Sequence, residues 1–391
     1  MRIPMKNCAI VHRQADWPCP LPPANGGHAG TCFVVLSLLA FLFIFTPEGW
    51  SWPQDLSRDL AFGPSCNEAE DMLKLGRDMA RAKNYQKAID QFQSAQKLCP
   101  QDESISLELI RAYLDARRFP EAESAAKSFL AQHPRSEPGQ LFLAYSYFMQ
   151  QKFQYAGQTL QKLLAQDGKN PDALKLMGLT LFFYKEYVLA ERALHAALEL
   201  RPNDDEALYY LGRVYYTQNN FPPAIKVFND LISRNPRNYR AYNNLALCYQ
   251  AIGKIDEADK AFTEAEQLAA RVNPNDDWPY ANHADMLVEQ GRTDDALRCI
   301  DKALQVNPHS ARNQYILAKV LMEKKDLAGA AEHLKLSIQS DPSFAKPHYL
   351  LGRVYERMHE KEKAEKEFVQ FKELSEKAQS PGGPVGPGSS E

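Results

Sequence analysis

The chain has 391 residues, of which 45% are hydrophobic and 24% charged, a balance ordinary for a folded protein. Lys and Arg number 46 against 49 Asp and Glu, a formal net charge of −3, without the basic excess expected of a nucleic-acid-binding protein. With 7 Cys spread over this length, a disulfide-dense scaffold is also excluded.

Residues 1–28 read as an irregular n-region, with Pro18, Pro20, Pro22, Pro23 and Gly26-Gly27, and with Arg2, Lys6 and Arg13 against Asp16. An apolar run follows from Cys32 to Phe45. Its length fits the h-region of a signal peptide, about 7–15 residues, and falls short of the roughly 20 needed to span a bilayer. Counting the flanks from Ala29 to Thr46, a signal anchor stays open beside a cleaved signal. Either way residues 29–46 are the expected membrane contact. Positive charge precedes the run, whereas Glu48, Asp55 and Asp59 follow it with only Arg58 opposing. That asymmetry sends the remainder to the non-cytoplasmic side. The absence of any Asn-x-Ser/Thr sequon favours a bacterial cell envelope. Residues 47–64 read as a linker and residues 379–391, rich in Pro, Gly and Ser, as a flexible tail.

Between linker and tail the chain repeats itself. Gly76, Gly178, Gly212 and Gly352 are each followed 12 residues later by Ala, at Ala88, Ala190, Ala224 and Ala364. Ala144, Ala246, Ala284 and Ala318 take the Gly place with the same spacing to Ala156, Ala258, Ala296 and Ala330. Pro closes most units, as at Pro100, Pro134, Pro202, Pro236, Pro308 and Pro342. The period is 34, with units opening at Ala69, Glu103, Glu137, Pro171, Asp205, Tyr239, Asp277, Ala311 and Ala345 and a four-residue insertion near 270–274. Within a unit, Leu211, Gly212 and Tyr215 mark one helix face and Ala224, Phe228 and Leu231 another. Small residues let the two helices approach closely, and Pro ends the second. One hairpin cannot bury its apolar side alone, so neighbours must stack. Ser65-Cys-Asn-Glu68 reads as a capping box opening the first helix, and the Lys/Glu-dense stretch from Glu360 to Lys377 as a charged final helix that stops further stacking.

This pattern resembles the tetratricopeptide repeat family, over nine repeats in residues 69–378. The resemblance implies an all-α fold: a right-handed α-solenoid of stacked antiparallel helix pairs, spanning residues 65–378. The family's Trp at the fourth position is replaced by residues such as Leu208, Tyr242 and Tyr280, and His283 stands where Leu is usual.

The resemblance also implies a concave groove for an extended peptide or a helix of another protein, lined by positions two, five, nine, twelve and thirteen of each repeat. Those positions give an aromatic middle, including Tyr145, Phe148, Met149, Phe182, Phe183, Tyr209 and Tyr216, with Arg213 among them. Farther on they give a polar and mostly basic surface, including Arg240, Asn243 and Arg312. Phe148, Phe182 and Tyr216 stand at a position that is often half packed between helices. Asn244 and Asn282 occupy the sixth position of adjacent repeats, where an amide can read the main chain of a bound peptide or simply face solvent. The carboxylate clamp of chaperone-binding relatives is approximated by Arg213, Asn243 and Asn244 without being matched.

Cys66 opens the first helix and Cys99 ends the second, so antiparallel packing brings these ends together; in an exported chain they are a candidate disulfide. No phosphate-binding glycine loop, nucleophile elbow or H-E-x-x-H occurs, so no enzyme, cofactor or metal is expected. His283 with Asp285 and Glu289 is the one cluster of metal-like types and reads better as a polar irregularity. The expected role is a binding scaffold; a self-associating spacer of the envelope is the alternative.

Overall fold

A computed structural model describes residues 64–379. Residues 1–63 lie outside the described part, and with them the expected signal or anchor at 29–46 and nearly all of the linker; so do residues 380–391 of the tail. No described helix is long and apolar enough to cross a membrane.

The described residues form helical hairpins in sequence. They are α1 (Pro64–Arg81) with α2 (Tyr85–Leu98), α3 (Glu103–Asp115) with α4 (Phe119–Gln132), and α5 (Glu137–Met149) with α6 (Phe153–Gln166). Next come α7 (Pro171–Phe183) with α8 (Tyr187–Leu200), α9 (Asp205–Thr217) with α10 (Phe221–Arg234), and α11 (Tyr239–Ala251) with α12 (Ile255–Val272). The last are α13 (Trp278–Glu289) with α14 (Thr293–Val306), α15 (Ala311–Glu323) with α16 (Leu327–Ser340), and α17 (Ala345–Arg357) with α18 (Lys361–Gln379). Each helix packs on its hairpin partner and on the next hairpin, so the core is a chain of linked clusters. The first helix of most units opens on a side-chain cap: Asp102, Ser136, Asn170, Asp204, Asn238 and Ser310 each accept from a backbone N–H of the first turn. The first helix is described from Pro64 onward, and the capping box expected there rests on the Ser65 side chain, which lies outside the described part.

Where the small residue is glycine it has a direct steric reason; the second unit carries Ile110 at that place instead. In α9, a Cβ on Gly212 would lie 2.6 Å from the ring of Phe228, which is fully buried on α10. The hairpin turns obey a rule that the sequence pattern hides. Lys83, Arg117, Gln151, Lys185, Asn219, Gly253, Gly291, Lys325 and His359 all adopt φ between 57° and 77°, at the same place in successive repeats. Only Gly253 and Gly291 are glycines, so the other turns hold a side chain in the left-handed region at about 1 kcal/mol each.

Between the second and third repeats, Glu123 of α4 receives Lys127 Nζ at 2.5 Å, Lys152 Nζ at 2.8 Å and Gln150 Nε2 at 2.9 Å. Burial pushes its carboxyl up, but these three donors outweigh burial and lower it to about 2. Its folded value lies below its unfolded one, so its contribution is complete above about pH 4.5 and is lost as pH falls towards 2. Thermal melts across that window should show the native chain losing stability more steeply than Glu123→Gln; parallel curves would place the acid sensitivity elsewhere.

Candidate partner-binding groove

A cavity of about 940 Å³ opens along the C-terminal half of the solenoid, from Phe183 to Lys346. It is walled by the first helices of successive repeats, α9, α11, α13 and α15, together with the turns that precede them. Of the residues expected from the sequence, Phe183, Tyr209, Arg213, Tyr216, Asn243, Asn244 and Asn282 line it. Tyr145, Phe148, Met149 and Phe182 do not.

The reason is packing among the aromatics. Phe182 is buried, with Phe183, Tyr187 and Tyr210 against its edges. Phe148 is half-buried, its ring 5.6 Å from Phe183 and 5.8 Å from Phe153. These rings join α5, α6, α7 and α9. Tyr145 and Met149 are 39% and 37% exposed, on the stretch of solenoid before the cavity.

Arg213 stands over three rings, 4.7 Å from Phe182, 5.6 Å from Tyr210 and 5.8 Å from Tyr209. A guanidinium this close to aromatic rings is attracted to their faces, which holds the side chain in the wall. The asparagines form a chain. Arg312 Nη2 donates to Asn282 Oδ1 at 2.5 Å, and Asn282 Nδ2 donates to Asn243 Oδ1 at 2.9 Å. Asn244 Nδ2 donates to its own helix at Arg240 O, 2.9 Å, and to the Tyr209 hydroxyl, 3.3 Å. All three asparagines are buried. They are neither solvated amides nor a row aimed at open solvent; they bridge repeats and hold the floor of the cavity.

The expectation of a mostly basic C-terminal surface is corrected. Asp276, Asp277, Asp285, Glu289 and Asp341 line the cavity beside Arg213, Arg240, Arg312 and Lys346. Several of the acids are engaged within the wall: Tyr239 OH donates to Asp276 at 2.7 Å and Asn313 Nδ2 to Asp277 at 2.6 Å. Arg240 is exposed, its guanidinium 5.7 Å from the Tyr239 ring. Sequence reasoning missed Tyr210, Tyr239, Trp278 and Phe344, which also line the cavity. Tyr210 stands at the sixth position, the place of Asn244 and Asn282, and that register was the available signal. Tyr239, Trp278 and Phe344 come from helix starts and the turns before them.

His283 does not face Asp285 or Glu289. Asp285 pairs with Lys319, and Glu289 accepts from Gln250 at 2.9 Å. His283 turns the other way, between Glu266 and Asp259. Burial lowers its pKa, but the two carboxylates outweigh burial and raise it above the ordinary value. At the N-terminal end, Cys66 and Cys99 are joined in a disulfide with Cα atoms 5.2 Å apart. Cys248 and Cys299 are buried thiols, both pushed up to about 12, chiefly by burial.

This architecture defines a helical-repeat scaffold, and comparison with known proteins identifies the repeat. A family profile described as tetratricopeptide repeat matches residues 238–309, and a second of the same description matches 282–345. The chain carries tetratricopeptide repeats. Profiles described as anaphase-promoting complex, cyclosome, subunit 3 and as outer membrane lipoprotein match residues 187–265 and 67–167. Over 143 residues the chain is 31% identical to anaphase-promoting complex subunit 3 of Schizosaccharomyces pombe, covering 36% of this chain and 21% of that protein. It therefore spans only about a fifth of the curated relative. Among solved structures, the Cut9–Hcn1 assembly of the APC/C matches with TM-score 0.56 at 16% identity, over 69% of this chain and 52% of that one. A tetratricopeptide repeat protein from Parabacteroides merdae matches with TM-score 0.53 at 19% identity, over 65% and 99%. At such identities the likeness to solved structures is one of fold. The chain is a protein-interaction scaffold by family and architecture.

Proposed function

We propose that this scaffold holds a segment of another protein, extended or helical, in the cavity of repeats five to eight. The observation that supports the reading is the cavity wall: half-buried aromatic rings, with Trp278 and Arg240 exposed, beside a buried, mutually bonded floor of amides. Such a wall offers apolar anchoring area without rotamer cost, together with a cation to fix direction. Asn243 and Asn282 act here by keeping neighbouring repeats in register.

We place the solenoid on the non-cytoplasmic side of a membrane, tethered or exported through residues 29–46. Three observations favour this: the charge asymmetry around the apolar run, the Cys66–Cys99 disulfide, and the outer membrane lipoprotein profile over residues 67–167.

Peptide display on the immobilised full chain tests the groove. Peptides selected by the native protein should lose at least about tenfold in affinity on Tyr209→Ala with Arg240→Ala, since losing an aromatic anchor and an Arg costs more than about 1.4 kcal/mol. Circular dichroism should show helical content unchanged. Equal binding by native and variant chains would remove the cavity as the site and direct attention to the exposed Tyr145–Met149 surface.

A further inference from the structure

The junction of repeats six and seven departs from the repeat pattern at two places at once. His283 stands where Leu75, Leu109, Leu143, Leu211, Leu245, Leu317 and Leu351 stand in other repeats. Glu266 takes the place of Leu130, Leu164, Leu198, Ile232, Leu304 and Ile338. Cys299 stands beside them at a position that the repeats leave variable, with Gln91, Ala125, Thr159, Val227 and His333 among its occupants. A carboxylate and an imidazole in apolar positions are costly unless each finds a partner. Here they converge: the donor atoms of Glu266 on α12, His283 on α13 and Cys299 on α14 all lie within 4.8 Å of one another. His283 Nδ1 is 2.7 Å from Glu266 Oε1 and 3.9 Å from Cys299 Sγ. The side chains of His283 and Glu266 are only 8% and 11% exposed.

The surroundings complete the pattern. The second ring nitrogen, His283 Nε2, is 2.8 Å from Asp259 Oδ1, and Arg292 holds that carboxylate at 3.1 Å. The imidazole lies flat on Phe262, ring centroids 5.3 Å apart. A metal-bound histidine ordinarily gives its other N–H to a carboxylate, which fixes the tautomer and the ring plane. We propose that Glu266, His283 Nδ1 and Cys299 form a binding site for one zinc-class divalent cation, with Asp259 orienting the imidazole. Nitrogen, thiolate and carboxylate together suit a borderline-soft ion. Zinc-to-ligand bonds of about 2.0–2.3 Å put tetrahedral donors roughly 3.3–3.6 Å apart. To reach that spacing the Glu266–His283 contact of 2.7 Å opens and the His283–Cys299 contact of 3.9 Å closes, each by less than about 1 Å. A water fills the fourth position. Binding exchanges protons for metal: the Cys299 thiol gives up its proton as the divalent ion enters, and the ion takes the Nδ1 position of His283 in place of any proton there. The ion then ties α12, α13 and α14 together where the four-residue insertion disturbs the stacking.

Cobalt(II) added anaerobically to the full chain reads the site directly. The expected result is thiolate-to-cobalt charge transfer with strong tetrahedral d–d bands, displaced by zinc. Cys299→Ser abolishes that component, Cys248→Ser leaves it, and Asp259→Asn weakens affinity by about 10–100-fold. Zinc should also raise the thermal midpoint of the native chain and not that of Cys299→Ser. A Glu–His–Asp ion cluster without metal gives neither tetrahedral bands nor a zinc shift, and that result overturns the proposal. So do bands that survive Cys299→Ser. Should that variant fold poorly, release of at least one proton per ion by the native chain, that of the Cys299 thiol, decides, and no release overturns the site.

Discussion

Phe228→Ala is expected to destabilise the fifth repeat by about 3–5 kcal/mol, the range for removing a buried ring and leaving a cavity. Phe228 is fully buried on α10, packed against Gly212 and with its ring 6.4 Å from Tyr209. The loss therefore reaches the groove wall as well as the core. Gly212→Ala fails for the opposite reason: its Cβ would lie 2.6 Å from the ring, and overpacking costs about 1–3 kcal/mol. Combining the two should cost less than their sum, because the new methyl occupies space that the ring vacates. Hydrogen exchange of α9 and α10 amides is the suitable probe, since a stacked array opens locally. Strictly additive effects would show that α9 and α10 relax independently. Binding by Phe228→Ala should weaken together with the protection of α9, tying groove and core to one packing unit.

Breaking the Cys66–Cys99 bond is expected to cost about 3–4 kcal/mol, from the loop-closure entropy of the 33-residue separation. Among the described residues this hairpin packs on one neighbouring hairpin, so the loss is not shared there with a second interface. Reduction, or Cys99→Ser, should speed exchange in α1, α2 and α3 and leave α9 to α14 unchanged. If the whole solenoid destabilised uniformly, the array would be more cooperative than nearest-neighbour stacking allows. No change at α1 would mean that the Cys99 side chain, only 5% exposed, holds the hairpin by packing alone.

The two expected losses reflect two kinds of legibility. Phe228 could be assigned to the core from sequence, because Gly212 and Ala224 recur at fixed spacing and leave the twenty-fourth position to a large apolar residue. Cys66 and Cys99 could be paired as candidates because a hairpin brings its ends together. The turns were not legible. The left-handed residue of each hairpin is Lys, Arg, Gln, Asn or His in seven repeats, with no glycine to announce it; the packed helices impose the conformation.

The sequence by itself determined the repeat, its period and register, the faces that stack and the class of protein. These follow from local spacing, which sets side-chain direction along each helix. Only the tertiary structure decided which aromatics line the cavity. Phe148 and Phe182 share the periodicity of Tyr216 and, like it, pack on neighbouring rings, yet of the three only Tyr216 joins Trp278 and Phe344 around the cavity. It also decided the partners of His283. Its neighbours Asp259, Glu266 and Cys299 come from three helices, and no spacing rule joins residues whose meeting depends on how one hairpin leans on the next.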